Sequence, residues 1–453
     1  MNGRLSREEC RTVFENVCRA ARAAGADDVE VAITGCAEAL TRFANNAIHQ
    51  NVASRGRELS VRVAAGKRTA RASTNALDGA GMERAVAEAM ALARAMETDA
   101  DAPPMATPEE AGSFEAVTRY DEKTAATGAE ERAEAVGAAI GVVEAARQTA
   151  AGIYSTGDTF EALLNSRGVE VYHEETSAVF SITAMAGDSS GWAKASETAV
   201  SRMDVAALAR RASVKAALSR APREIAPGRY TVILEPAAVL DFIGQIFADF
   251  SATAIEDERS FLTGRLGRRL FGENIDIFDD AHHPLQSGAP FDGEGVARRR
   301  LKLVERGVPL EIAYSRASAA RAGVRATGHG LPLPNESGEM AANIVIGGGM
   351  ASVEEMIATT ERGVLATRLW YIREVDPYEK IMTGMTRDGT FLIEDGRLVC
   401  GLRNMRFNQS AIETLLHVEM LSPALRASGE EAFDMVAPAM KVREFHFGEA
   451  TRF

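Results

Sequence analysis

Residues 6–25 read SREECRTVFENVCRAARAAG and predict a helix with a defined start and end. Ser6 and Glu9 have the S-x-x-E spacing of a capping box, in which each side chain satisfies a free backbone amide at the helix start. Apolar residues then recur every three to four positions, and Gly25 ends the run. The helix therefore has one apolar face, which a neighbouring element must cover.

The sequence after this helix predicts an antiparallel β-meander followed by a second helix. Apolar and polar residues alternate in four short stretches, as they do in half-buried strands. Asn45-Asn46, Arg55-Gly56 and Gly66 separate these stretches and favour turns. The four predicted strands are residues 29–34, 40–44, 59–64 and 69–74, and the second predicted helix is residues 78–97. Together they predict a helix–meander–helix unit.

The same order of elements recurs after a Pro-rich connector at residues 101–110. A helix begins near Thr127, and Gly187 follows Gly66 by 121 positions. The predicted strands are residues 152–154, 160–164, 169–174 and 179–185, and the closing helix is residues 204–218. We therefore predict a duplicated unit, with repeats at about residues 1–100 and 120–220. Recurrence of the same order by chance is the alternative.

The second half of the chain is predicted to be rich in β-structure. Pro222 and Pro227-Gly228 mark its beginning, and Pro236 suits the first position of a long apolar helix at residues 236–250. The predicted strands are residues 230–234, 275–278, 308–314, 343–346, 367–373, 390–394 and 397–403, with helices at 352–361 and 411–418. The predicted fold class is α+β, with a duplicated domain at 1–220 and a β-rich domain at 221–453.

Composition excludes several classes of function. The 453 residues carry a net charge of −13, which argues against nucleic acid as a main partner because phosphate binding needs a basic surface. Four cysteines without paired spacing favour a reducing compartment. No signal core or membrane-length apolar run is present, so we predict a cytoplasmic protein with no membrane association.

The usual catalytic signatures are absent from the sequence, which contains no GxSxG, GxxxxGK[ST] or GxGxxG motif in a suitable context. His329 lies in a polar Thr-Gly-His-Gly loop of the kind that carries function, although an exposed turn histidine is the alternative. Alternation places Arg368 and Trp370 on one face of a predicted strand, and Tyr371 on the other. Residues 383–389 are interpreted as a hydroxyl-rich turn. These groups could hold a peptide by strand addition or make structural ion pairs.

Several segments in their order along the chain resemble one known family. They are LTRFANNAIHQN (40–51), GRYTVIL (228–234), SFLTG (260–264), FDGEGV (291–296), ATGHG (326–330), TGMTRDG (383–389) and RFNQS (406–410). Together they resemble the TldD/PmbA family, also called modulators of DNA gyrase. The resemblance implies a duplicated α/β region with a β-rich C-terminal domain. It further implies zinc-dependent proteolysis of peptides and small unfolded proteins, and dimers that pair a TldD chain with a PmbA (TldE) chain.

The chain departs from this family at the metal motif. The TldD type carries His-Glu-x-x-x-His on the helix after the strand at 228–234, where two imidazoles bind zinc. Counting from Pro236, the matching window is residues 244–249, with Gly244, Gln245 and Asp249 at the motif positions. Residues 231–281 contain no histidine, and Cys400 matches no family motif. The resemblance is therefore to the PmbA (TldE) type.

The sequence thus predicts the non-metal subunit of a zinc peptidase complex, with no cofactor of its own and zinc in a TldD-type partner. Whether this chain catalyses any reaction stays open. The predicted peptide-binding residues are His329, Arg368, Tyr371, Thr383, Thr386 and Arg387. A homodimeric peptide-binding or scaffold protein is the main alternative. A metal-free hydrolase is a third possibility and requires a nucleophile beside a base.

Overall fold

The structure is a computed structural model that describes residues 4–98 and 103–451, so part of the predicted connector at 101–110 lies outside the described residues. The N-terminal helices are α1 (Arg7–Ala23), α2 (Gly79–Ala95), α3 (Pro108–Ala111), α4 (Glu122–Ala126), α5 (Ala129–Ala145) and α6 (Val205–Leu218), with a 3-10 turn at Val200–Arg202. The strands are β1 (Asp28–Ala44), β2 (Ala47–Ala65), β3 (Arg68–Thr74), β4 (Thr149–Asn165), β5 (Glu170–Ala186) and β6 (Ser189–Glu197). The predicted helix–meander–helix order occurs twice.

The two repeats share one six-stranded antiparallel sheet with the order β3-β2-β1-β4-β5-β6. β1 of the first repeat pairs with β4 of the second from Glu30↔Asn165 to Phe43↔Gly152. Val31 packs in a core with α1 and α2, whereas Phe43, on the same face of β1, packs in a core with α5 and α6. Both helix pairs therefore cover one face of the sheet and leave the other face for the C-terminal domain.

The meanders differ from the prediction in strand length. β1 runs through two of the predicted segments, whereas β2 contains one of them and begins twelve residues earlier, at Ala47. Arg55-Gly56, which favours a turn, therefore lies inside β2. Pairing with β1 along the whole length of β2 overrides the local turn preference. Gly66 and Gly187 are turns as predicted, with φ of 56° and 67°. β6 follows Gly187 and was absent from the prediction.

The C-terminal region contains two further sheets. Its helices are α7 (Pro236–Ile243), α8 (Ala252–Glu256), α9 (Arg316–Ala322), α10 (Val353–Ala358) and α11 (Ala411–Leu416), with a 3-10 helix at Gly244–Asp249. Its strands are β7 (Gly228–Leu234), β8 (Ile277–Asp279), β9 (Leu301–Glu305), β10 (Val308–Pro309), β11 (Ile344–Ile346), β12 (Arg362–Asp376), β13 (Ile381–Glu394), β14 (Arg397–Gly401), β15 (Met405–Ser410), β16 (Val418–Leu421), β17 (Leu425–Ala427), β18 (Met435–Ala437) and β19 (Met440–Ala450).

The long strands of this region close on themselves. β12, β7, β19, β15 and β13 pair in that order, and β13 pairs again with β12. The second sheet has the order β10-β9-β8-β11-β18-β17. α7 contacts β7 and β12 on one side and β17 and β18 on the other, so it lies between the two sheets. This position explains why α7 is apolar around almost its whole circumference.

The C-terminal domain packs against the helix-free face of the N-terminal sheet. Leu163 of β4 and Val171 of β5 form an apolar cluster with Ala289 and Phe291 of the second half. Across residues 4–98 and 103–451, no helix has both the length and the apolar character needed to cross a bilayer. The boundary at residues 220–221 stays a prediction.

Candidate functional site

The site begins at α7 and the 3-10 helix that continues it, where the resemblance places the metal motif of the family. Pro236 occupies the first turn of α7, and residues 238–243 are completely buried. The helix tightens at Gly244 instead of continuing as the α-helix predicted to residue 250. Asp241, Gln245 and Asp249 form its polar side, and their contacts decide what this helix can bind.

Asp241 is buried, and both oxygens of its carboxylate accept hydrogen bonds from backbone amides. Oδ1 accepts hydrogen bonds from the backbone amides of Glu430 at 2.8 Å and Glu431 at 2.9 Å. Oδ2 lies 3.4 Å from the amide of Leu369. Burial raises the pKa of Asp241 to about 6, although these amides favour the charged form. The carboxylate thus joins α7 to strand β12 and to the loop at residues 430–431.

The first two motif positions have neither a ligand nor free space. A Cβ atom at Gly244 would lie 2.5 Å from Cβ of Ala432 and 3.0 Å from Cε of Met435. The Gln245 amide donates to the carbonyls of Asp241 and Glu431, both at 3.1 Å. A histidine at position 244 would therefore require the neighbouring backbone to move.

The last motif position is paired with a lysine. Oδ2 of Asp249 lies 2.6 Å from Nζ of Lys380, which also contacts Glu374 at 2.7 Å. The backbone amide of Phe261 donates to the same oxygen at 3.3 Å. Burial raises the pKa of Asp249 even though Lys380 opposes this shift. Lys380 is itself buried, so its ammonium group is the cation that this carboxylate binds.

A loop at residues 428–434, which we call the capping loop, covers α7 between β17 and β18. The Glu431 carboxylate accepts hydrogen bonds from the amide of Tyr371 at 2.7 Å and of Ile372 at 3.3 Å. Arg373 approaches the same carboxylate at 3.4 Å. Lys194 of β6 lies 3.4 Å from Glu430. The capping loop is therefore held by both halves of the chain.

These residues do not fit a zinc ion. Catalytic zinc needs three nitrogen, sulfur or oxygen ligands with one open position. Here the one acidic motif residue is paired with Lys380, and the other two motif positions offer no ligand. Within the described ranges 4–98 and 103–451, no three His, Cys, Asp or Glu side chains converge as a metal site.

Arg368 and Arg387, two of the predicted residues, lie together around a tryptophan. The Arg368 guanidinium stacks 4.7 Å from the Trp192 ring and 5.8 Å from the Trp370 ring, and Arg387 lies 4.8 Å from Trp370. Both arginines contact the Asp388 carboxylate. Arg368 is buried, so it joins β12 to the N-terminal sheet, whereas the Arg387 side chain is 43% exposed.

Tyr371, Thr383 and Thr386 lie apart from this cluster. Tyr371 is 53% exposed and has a φ of 56° at an irregularity of the β12–β13 pairing. The Thr383 hydroxyl donates to the Phe407 carbonyl at 3.2 Å, and the buried Thr386 hydroxyl accepts from the Met405 amide at 3.0 Å. Thr386 is therefore committed to internal packing.

The interpretation of residues 383–389 as a turn was wrong, because the segment is part of β13. β12 pairs with one edge of β13 and β15 with the other, so closure of the sheet dominates over the local preference of Gly384 and Gly389. The Arg368 guanidinium lies over the Trp370 ring and that of Arg373 over the Tyr371 ring, although the β12–β13 pairing is irregular between Trp370 and Arg373.

His329 lies at a cavity between the two halves of the molecule. It is buried, with Nε2 3.1 Å from Oδ1 of Asp279 and Nδ1 3.0 Å from the Thr327 hydroxyl. Burial alone would raise the pKa of Asp279, but His329, Arg298 and the Asn343 amide hold it below its ordinary value. The cavity has a volume of about 550 Å³. The alternative of an exposed turn histidine is wrong.

Of the six predicted residues, the structure brings only Arg368 and Arg387 together. Sequence reasoning missed Lys380, Glu431 and Asp279. Lys380 and Glu431 gave no signal because isolated charged residues in polar segments are normally solvated. A signal for Asp279 was available, since an acidic residue directly after an apolar strand often lies at a functional edge. Whether any of the six residues meets a peptide stays a prediction.

Comparison with known families gives three matches along the chain. Family models match the PmbA/TldA metallopeptidase domain 1 at residues 29–93, the central domain at 83–220 and the C-terminal domain at 227–449. The matches define a protein of a metallopeptidase family with a duplicated α/β region and a β-rich end. The chain belongs to the PmbA/TldD family.

Relatives of known sequence match parts of the chain. An uncharacterised protein of Methanocaldococcus jannaschii is 32% identical over 173 residues, 38% of this chain and 41% of that protein. A metalloprotease of Methanothermobacter thermautotrophicus is 25% identical over 277 residues, 58% of this chain and 60% of that protein. The chain thus spans about half of the length of these curated relatives.

Solved structures match almost the whole fold. TldE from Thermococcus kodakarensis superposes with a TM-score of 0.86 at 20% identity, covering 96% of this chain and 100% of that chain. A structure from Thermotoga maritima described as a putative modulator of a DNA gyrase gives 0.85 at 18% identity, covering 96% and 99%. At these identities the likeness shows the fold alone, which confirms the predicted class.

Proposed function

We propose that this chain is the non-metal subunit of a TldD/TldE-type zinc metallopeptidase complex that cleaves peptides or small unfolded proteins. It would complete the peptide-binding cleft, while a TldD-type chain supplies zinc and the catalytic residues. Similarity both to a metalloprotease TldD homolog of Buchnera aphidicola and to TldE of Thermococcus kodakarensis supports a complex of this type. The cysteine pattern supports a cytoplasmic location as part of the proposal.

The observation that carries the proposal is the packing at Gly244. The histidine of the family's metal motif is absent at this position. In addition, the capping loop fills the space that its side chain would need. Asp249 holds an internal ammonium group where the last motif residue would bind metal. Such rearranged packing supports a chain whose role in the complex is to shape the cleft.

Among the predicted binding residues, we assign peptide contact first to Tyr371 and Arg387, because both side chains are substantially exposed. A Tyr371→Ala variant of the complex should raise KM for an unfolded substrate and leave kcat unchanged, because only uniform binding is lost. A Thr386→Val variant tests internal packing and should leave KM unchanged if the fold is retained.

The test of the proposal is reconstitution. The chain is mixed with a TldD-type chain that carries His-Glu-x-x-x-His, and light scattering and casein hydrolysis are measured. We expect a heteromeric complex whose cleavage needs both chains and is abolished by a chelator. The matched control replaces the first motif histidine of the TldD-type chain by alanine. A homodimer that does not bind the TldD-type chain would contradict the proposal and favour the scaffold alternative.

A further inference from the structure

Four polar residues form a row across the helix-free face of the N-terminal sheet. Each lies directly opposite the next on the neighbouring strand, and from β2 to β5 they are Glu58, Thr34, Glu161 and His173. Residues paired in this way point to the same side of a sheet. Leu163, two positions after Glu161 on β4, packs with Phe291 of the second half. The row, which we call the acidic row, therefore faces the C-terminal domain.

The acidic row lines a cavity that adjoins the cleft between the two halves of the chain. All four of its residues line this cavity, which has a volume of about 520 Å³. Thr34 and Glu161 also line the cavity of about 550 Å³ at His329, so the two cavities meet at these residues. Exposure decreases along the row, because Glu58 and Thr34 are exposed, Glu161 is half-buried and His173 is buried. The row thus runs from solvent into the cleft.

Neither carboxylate of the acidic row is neutralised by the chain itself. Within residues 4–98 and 103–451, Glu58 and Glu161 form no ion pair. Burial raises the pKa of Glu161, and the favourable effects of His173, Arg298 and the Ala289 amide compensate only in part. A cation that entered the cavity would therefore restore a favourable interaction that Glu161 lost with water.

One arginine lies near the buried end of the row, but it serves several carboxylates. Nε of Arg298 donates to the carbonyl of Phe291 at 3.2 Å. The same guanidinium helps to lower the pKa of Asp279 and opposes the rise in the pKa of Asp292 that burial causes. Its single positive charge is thus shared between Glu161 and two other carboxylates.

The basic residue next to Glu58 points away from the cavity. Among the described residues that line the 520 Å³ cavity, Arg57 is the only arginine or lysine. Arg57 lies opposite Gly35 of β1, and its charge lowers the pKa of Glu9 on α1. Alternation along β2 therefore places Arg57 on the helix-covered face and Glu58 on the face towards the cleft. The exposed end of the acidic row has no built-in cation.

His173 ends the row with an unsatisfied imidazole. Its side chain is 5% exposed, and Nε2 lies 3.6 Å from Oε2 of Glu175, which is beyond hydrogen-bond distance. In the parts of the chain that the structure describes, Nε2 has no other hydrogen-bond partner. Buried polar atoms nearly always have a partner, so a ligand is expected to supply one here. A neutral imidazole nitrogen accepts a hydrogen bond from an ammonium or a guanidinium group.

We infer that the acidic row binds the cationic side chain of a lysine or an arginine, on a polypeptide that lies in the cleft. Glu161 makes the direct contact and His173 accepts a further hydrogen bond. Glu58, two strand spacings or about 10 Å from Glu161, attracts the charge at the entrance. Phe291 and Phe433 give the adjoining 550 Å³ cavity apolar walls for the rest of the polypeptide. That this polypeptide is the substrate of the complex rests on the proposed function, but binding of the basic group does not.

The test uses this chain alone and a fluorescein-labelled peptide of alanine and leucine with one central lysine. The same peptide with norleucine keeps the alkyl chain but lacks the ammonium group. Fluorescence anisotropy should show that it binds at least about tenfold more weakly. The peptide with arginine should bind as the lysine peptide does, and the peptide with glutamate should not bind. Equal binding of the lysine and norleucine peptides would overturn the inference.

A free amine distinguishes a polypeptide from a small-molecule ligand. Butylamine carries the end group of lysine without the peptide backbone. It should displace the lysine peptide only at a concentration at least about a hundredfold higher than the peptide itself, because it lacks the apolar contacts in the cleft. Displacement by butylamine at the concentration of the peptide would overturn the assignment to a polypeptide.

Matched variants locate the site. Glu161→Gln should weaken the lysine peptide about tenfold and leave the norleucine peptide unchanged. Glu58→Gln should weaken the lysine peptide only about twofold, because an exposed charge acts weakly. Glu88→Gln makes the same change of net charge on the exposed side of α2 and should have no effect. Equal effects of Glu161→Gln and Glu88→Gln would overturn the assignment.

A further variant keeps the test decisive if Glu161→Gln fails to fold. Thr34→Lys places an ammonium group inside the acidic row, at an exposed position of β1. It should prevent binding of the lysine peptide, and unchanged binding would overturn the inference. Because no TldD-type chain is present, failure of these binding tests leaves the reconstitution test of the proposed function independent.

Discussion

The two repeats of the N-terminal region share their order of elements but differ at their edges. Both place two helices on the same face of one sheet, and both turn at a glycine with positive φ, Gly66 and Gly187. Among residues 4–98 and 103–451, a segment at Arg119 bridges to the edge of β5, whereas no strand pairs with residues 50–58 of β2. The two repeats therefore share the same arrangement of helices and strands but differ in the exposed strand edge.

The repeats also differ where they face the C-terminal domain. In the first repeat, Glu30 is buried between Arg62 at 2.8 Å and Arg71 at 2.7 Å, and Arg71 donates to the carbonyl of Leu333. The residues 121 positions later are Ala151, Thr183 and Trp192. One repeat thus contacts the C-terminal domain through buried charge, and the other contacts Arg368 through Trp192.

The largest effect is expected from removing the buried carboxylate of the first repeat. Glu30→Gln leaves two buried guanidinium groups without a counter-charge and should lower the free energy of unfolding by about 3–5 kcal/mol. The matched change in the second repeat, Glu174→Gln, removes a partly exposed ion pair and should cost less than about 1 kcal/mol. Urea denaturation of both variants measures the difference. Equal losses would show that the buried cluster is not the stabilising difference between the repeats.

A second difference is the distance between helix and sheet. A Cβ atom at Gly191 of β6 would lie 2.2 Å from the carbonyl of Ala212 and 2.4 Å from the amide of Ala216, both on α6. Gly191→Ala should therefore destabilise the protein by about 1–3 kcal/mol. Ala70 stands at the equivalent position of the first repeat, and Ala70→Gly should cost about 1 kcal/mol or less. Thermal unfolding measures both, and an unchanged Tm for Gly191→Ala would contradict the close packing.

Hydrogen exchange should distinguish the two edges directly. Amides on the outer side of residues 50–57 should exchange at least about tenfold faster than the Thr176 amide, which donates to the Arg119 carbonyl at 3.1 Å. Arg119→Ala removes the side chain that holds the covering segment to Gly288 and Ala281. This variant should speed exchange at Thr176 and leave residues 50–57 unchanged. Equal protection of the two edges in the unchanged protein would contradict the comparison.

The smallest effect concerns thiol chemistry in the first repeat. Burial raises the pKa of Cys10 and of Cys18 to about 11, so both react slowly at pH 8. Cys36 is exposed on β1, where it pairs with Gly56 of β2. Iodoacetamide followed by peptide mapping should modify Cys36 before Cys10 and Cys18. Modification of Cys10 at the same rate would contradict the packing of α1.

The sequence was sufficient for the parts of the fold that local chemistry controls. The Ser6–Glu9 capping box begins α1 as predicted, and Asp78 and Asp204 cap α2 and α6. The strand lengths depend on pairing between distant residues, so Gly56 inside β2 and Gly384 inside β13 were interpreted as turns. Local preference is weak against a continuous ladder of hydrogen bonds, which runs along one side of the strand at Gly56 and along both sides of β13.

For the site, the sequence predicts only the loss of the metal ligands. The absence of histidine from residues 231–281 indicates the loss of the family's metal motif. What fills its place was not predictable, because Ala432 and Lys380 lie 188 and 131 residues from Gly244 and Asp249 along the chain. Contacts over such separations follow from the closed sheet and not from any local pattern.

The central claim is that this chain acts in the complex without binding a metal itself. The zinc content of the purified chain tests this claim most directly. The purified chain is dialysed and analysed by plasma mass spectrometry, alone and after mixing with a TldD-type chain. We predict far less than one zinc per chain alone, and one zinc per pair in an active, chelator-sensitive mixture. One tightly bound zinc per chain alone, lost in an Asp249→Asn variant and accompanied by casein cleavage, would contradict the account.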